Sequence, residues 1–154
     1  MKSLYKVVVA VAVLAPVQAH AVTDNIPFNG TIADTCAITV NSSGTITPNA
    51  TYTQLSSNNP GGAAGTATIL ATGTGWDVSA DAPAAFSTEP VVTASTFAAT
   101  YDLSGVTVAA TVPGATTTAL NSGTTNVAVD LTATHPTGSY QAGTYAATVV
   151  LRCE

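Results

Sequence analysis

From residue 22 onward this chain shows no helical periodicity, and near both of its ends apolar side chains recur at every second residue. Val127, Val129, Leu131 and Ala133 share one phase, with Ala128, Asp130, Thr132 and Thr134 in the other. Near the end, Tyr145, Ala147, Val149 and Leu151 alternate with Ala146, Thr148, Val150 and Arg152. A period of two belongs to a strand with one buried face. Composition agrees: from residue 22 onward, Val, Ile and Thr make 45 of 133 residues. These β-branched side chains suit strands and lose rotamer freedom in helices. Strands are expected at 26–40, 45–53, 63–71, 75–80, 91–103, 106–112, 126–133 and 144–153. Turn residues fill the gaps, among them Asn58-Asn59-Pro60-Gly61-Gly62, Pro113-Gly114 and His135-Pro136-Thr137-Gly138. Regularly spaced strands and turns predict one antiparallel β-sandwich domain.

Residues 1–21 read as a secretory signal peptide. Lys2 and Lys6 precede an apolar run from Val7 to Val17, and Ala19-His20-Ala21 offers small residues for cleavage. The run is too short to span a bilayer, which takes about 20 apolar residues. Export also permits a disulfide. Cys36 and Cys153 are the only cysteines, so one bridge is the natural count. It forms either within one chain or between neighbours.

Without the leader, eight acids face a single cation, Arg152. Such a surface has almost nothing with which to neutralise phosphates, which excludes nucleic acid as a partner. Enzyme readings find little support. His135, the sole histidine of the exported chain, sits in a turn motif. Asp77, Asp81, Glu89 and Asp102 read as ordinary loop acids, and no cofactor or metal site is expected. Trp76 reads as a core or inter-sheet aromatic rather than a carbohydrate platform.

The stretch before Cys36 is the most informative. At period two, Ile26, Phe28, Gly30 and Ile32 take one phase and Asn25, Pro27, Asn29 and Thr31 the other. Proline is poorly suited to the centre of a permanent sheet, and Gly30 among large apolar neighbours suggests close approach by another group. Residues 22–33 therefore read as an extension and 34–154 as the sandwich domain.

These residues carry a resemblance. Ile26-Pro27-Phe28-Asn29-Gly30-Thr31-Ile32, followed by Cys36-Ala37-Ile38, resembles the start of chaperone–usher pilus subunits, of the major-pilin type. Val127 to Leu131, Ala142 to Tyr145 and Val149 to Leu151 resemble that family's last two strands. The resemblance implies an immunoglobulin-like sandwich that lacks its final strand and is completed by a donor strand from a neighbour. Ile26, Phe28 and Ile32 would be the inserted side chains, with Gly30 where the groove leaves no room for one. The implied partners are identical or related pilin subunits, a periplasmic chaperone and an outer-membrane usher. The implied destination, reached through the periplasm, is a cell-surface adhesive filament, or fimbrium. Unlike the family's common pattern, no second cysteine follows Cys36 on the next strand. The competing readings are a self-contained secreted coat protein and a carbohydrate-binding module.

Overall fold

The computed structural model describes residues 21–154, so all but the last residue of the expected leader lies outside the described residues. The chain divides into two units, one ending at Gly30 and the other comprising Thr31–Glu154. Residues 21–30 form no strand and are exposed throughout. The second unit is all β, with ten strands and no helix among the described residues.

In chain order the strands are β1 (Thr35–Ser42), β2 (Thr47–Pro48), β3 (Gln54–Ser56), β4 (Gly65–Thr72) and β5 (Asp77–Asp81). There follow β6 (Thr96–Gly105), β7 (Ala109–Pro113), β8 (Thr118–Ala119), β9 (Gly123–Thr134) and β10 (Val150–Cys153). Every pairing is antiparallel. The larger sheet is built on β9. Along one edge β9 pairs with β4 and then β3, which hold β1 and β2 at the outside. Along the other it pairs with β6, which holds β7. The smaller sheet runs β10-β5-β8.

One core joins the sheets, as in a β-sandwich. Ile69 of β4, Tyr101 and Leu103 of β6 and Val127 of β9 meet Val78 and Ala80 of β5. The alternation expected around 127–133 holds: Val127, Leu131 and Ala133 are buried. Tyr101 is fully buried and reaches across, its hydroxyl 2.7 Å from both the Thr116 carbonyl and the Thr118 hydroxyl. The chain changes sheets at Gly114, between β7 and β8. Gly114 donates its N–H to the Ala99 carbonyl and accepts from Ala80 N–H, both at 2.8 Å. A Cβ there would lie 2.1 Å from the Ala80 carbonyl oxygen, so only glycine fits this crossing.

A second cluster packs Leu55, Phe86, Ala133 and Tyr140. Phe86 is edge-on to Phe97 at 4.8 Å and to Tyr145 at 5.1 Å. The expected disulfide is present and intrachain: Cys36 of β1 bonds Cys153 of β10, with Cα atoms 6.4 Å apart.

The strand bounds differ from the sequence reading in several places: β8 is not among the expected strands, and the expected strand 91–103 begins only at Thr96. The expected strand 26–40 begins only at Thr35, because the residues before it have no ladder partner among the described residues. The expected strand 45–53 breaks into β2 and β3. Asn49 turns the chain by accepting the Thr53 and Gln54 N–H groups, and Tyr52 adopts a left-handed φ of 56°. The expected strand 144–153 forms a ladder only over Val150–Cys153, although Ala146 makes an isolated bridge to Thr88.

Candidate functional site

The two sheets leave an edge open. β1 is an outer strand of the larger sheet and β10 an outer strand of the smaller. Between them, away from the disulfide, runs a mainly apolar groove of about 570 Å³, with Ser42, Ser43, Thr45, Ser57, Thr66 and Thr148 also in its lining. Val40, Gly44 and Ile46 form one wall, and Tyr145, Ala147, Val149 and Leu151 the other. Val129 and Leu131 of β9 lie at its base, with Ala63, Gly65 and Ala67 beside them. Among the described residues, no charged side chain lines it. The small residues leave the space unfilled.

The C-terminal wall is held from one side only. Asp77 and Glu154 exchange backbone hydrogen bonds, at 2.7 and 3.0 Å. Antiparallel alternation then directs the even-numbered residues of β10 toward β5. Ala146 continues that pattern, donating to Thr88 O at 2.9 Å and accepting from Ser87 N–H at 2.7 Å. The backbone groups of Tyr145, Ala147, Val149 and Leu151 therefore point to the free edge, where no backbone partner lies among the described residues. Their side chains, on the inward phase, are half-buried in the groove. An edge with apolar pockets and unpaired backbone groups is a template for an added strand.

Ile26 is 78 % exposed, Phe28 93 % and Ile32 85 %. A Cβ on Gly30 would meet no heavy atom of the described residues within 4 Å. The chain is tied down just past these residues. Thr72 Oγ1 donates to Ala33 O at 2.6 Å, and the Trp76 indole N–H donates to Asp34 Oδ1 at 2.7 Å. Trp76 itself packs against the main core, as its sequence context suggested.

Most of the polar residues weighed from the sequence have structural partners, while the buried Thr125 Oγ1 and His135 Nδ1 have none among the described residues. Arg152 Nε donates to Asp81 Oδ2 at 2.5 Å, and this carboxylate raises the guanidinium pKa above its usual value. Asp102 accepts the Thr111 N–H, Asp130 accepts the Ser57 hydroxyl, and Glu89 accepts the Thr93 N–H. Tyr140 has its pKa raised, chiefly by burial and against the Ser95 hydrogen bond. His135 stacks edge-on to Tyr140 at 5.4 Å. Among the described residues, no three metal-ligating side chains converge.

The sequence singles out the extension and the alternating C-terminal wall. It does not single out the wall from Val40 to Ile46. A small-residue pattern at Gly44, Ala63, Gly65 and Ala67 was the available signal, but which strands end as edges depends on non-local pairing. Comparison with protein-family models, curated proteins and solved structures finds no match.

Proposed function

We propose that this chain is a structural subunit of an adhesive cell-surface filament, polymerised when the extension of one copy enters the groove of the next. The observation that carries the reading is that both halves of the contact lie on one chain. An exposed extension with alternating apolar side chains accompanies an uncharged apolar groove with a free strand edge. Strand addition supplies backbone hydrogen bonds for affinity and side-chain pockets for specificity. Because extension and groove are different surfaces, the contact is head-to-tail and does not close, which yields a fibre.

The resemblance to chaperone–usher subunits completes the reading. The exported chain would be held in the periplasm by a chaperone strand in the groove, then passed through an usher to the growing filament. An immunoglobulin-like sandwich completed by its neighbour is the corresponding fold. The recognition is between protein strands, so the reading requires neither catalysis nor a cofactor.

Phe28→Asp tests it. A buried Phe contributes about 2–3 kcal/mol, and a carboxylate in its place would lose its hydration without a partner. The variant should remain folded, since Phe28 is exposed in the single subunit. It should form no filaments by electron microscopy while still being captured by the chaperone. Normal filaments from this variant would contradict the reading.

A further inference from the structure

The groove has one closed end. At Cys36 and Cys153, strands of two different sheets approach to a Cα separation of 6.4 Å. Packed sheets ordinarily stand about 10 Å apart. Both cysteines pack against the main core, so the bridge fills the space between the edges there. A side chain pointing inward opposite Cys153 would meet the bridge. Beyond it, Leu151, Val149, Ala147 and Tyr145 offer four inward places in succession. They span about 20 Å at strand rise.

The extension carries the same count. Its inward phase reads Asp24, Ile26, Phe28, Gly30, Ile32, Asp34. Four uncharged positions are thus bracketed by two carboxylates. A carboxylate is unfit for an apolar slot. Asp34 is also engaged with Trp76 of its own subunit.

Resting on the strand-exchange reading above, we infer that the Cys36–Cys153 bridge is a stop that fixes the register of the inserted strand at four inward side chains. In an antiparallel ladder, the stronger pairing, Ile26 lies opposite Leu151, Phe28 opposite Val149, Gly30 opposite Ala147 and Ile32 opposite Tyr145. Asp24 then falls opposite Cys153, outside the pockets. The bridge therefore does more than cross-link the fold: it sets how much of a neighbour the subunit accepts.

The test uses residues 22–154 carrying Phe28→Asp as the recipient, so that its own extension does not compete. Fluorescein-labelled peptides of residues 22–33 are titrated by anisotropy. The wild-type peptide should bind, and Ile26→Asp should weaken it at least about tenfold. Asp24→Leu should change affinity by less than about twofold on the bridged recipient. On a Cys36→Ala/Cys153→Ala recipient, the same peptide should bind about tenfold more tightly, because a fifth pocket opens. A tenfold gain on the bridged recipient would overturn the stop while leaving strand exchange standing. So would equal affinities of Asp24→Leu and wild type on a folded recipient without the bridge. If that recipient does not fold, the bridged measurement decides alone. Failure of every peptide to bind would remove strand exchange itself, and the stop with it.

Discussion

Tyr101 shows how one residue ties two layers together. Its ring lies in the common core, and its hydroxyl ends among Thr116 O, Thr118 Oγ1 and Val78 O. Tyr101→Phe keeps the packing but leaves the Thr118 hydroxyl and the nearer carbonyl, Thr116 O, short of a partner. We expect a loss of about 1–3 kcal/mol in urea unfolding with an unchanged slope; an unchanged midpoint would show that the hydroxyl contributes nothing. Gly114 is a steric counterpart. Its missing side chain allows β6 and β5 to be bonded through one residue. Gly114→Ala should cost about 3 kcal/mol or more, read as a fall in unfolding midpoint, because the obstructing atoms are backbone. The sequence marks Pro113-Gly114 as a turn. That the turn is also where the chain crosses between sheets is not legible, since the clashing carbonyls come from Ala80 and Ala99, far away in sequence.

At the scale of elements, period two and turn residues locate most strands, and the core face of β9 is read correctly at Val127, Leu131 and Ala133, while Val129 is only half-buried. The errors at the two ends of the chain concern partners rather than character, whereas 45–53 is broken by a turn. Residues 26–34 have the alternation of a strand, but no strand of the sandwich pairs with them among the described residues. The same holds for 144–149, where alternation is present and the ladder is not. Alternation reports a buried face; hydrogen bonding needs a neighbour, and a single sequence does not say where that neighbour comes from. The two mismatches lie on opposite sides of the proposed contact. The disulfide joins these edges across 117 residues, a loop whose closure is worth about 4–5 kcal/mol in the chain-entropy model. Cys36→Ser/Cys153→Ser should therefore lower the thermal midpoint markedly. A variant as stable as the parent would show that the bridge acts only on the groove.

At the scale of the molecule, the low charge becomes intelligible. Arg152 is the one cation after residue 21, and Asp81 already holds it. The carboxylates at Asp34, Glu89, Asp102 and Asp130 are each engaged in a local hydrogen bond. What remains outward is mostly Thr, Ser, Asn and backbone, with Asp24, Glu154 and scattered residues such as Val92 and Val108, beside an extension whose Ile and Phe side chains are bare. A solvated monomer gains nothing by exposing Ile26, Phe28 and Ile32, whereas a subunit that lends them to a neighbour does. The most direct measurement is electrophoresis of residues 22–154 with and without boiling in detergent, beside a form lacking residues 22–29. The account predicts a ladder of multimers that collapses on boiling and is absent from the shortened form. A single monomer band from both forms, or a ladder that survives the deletion, would contradict it.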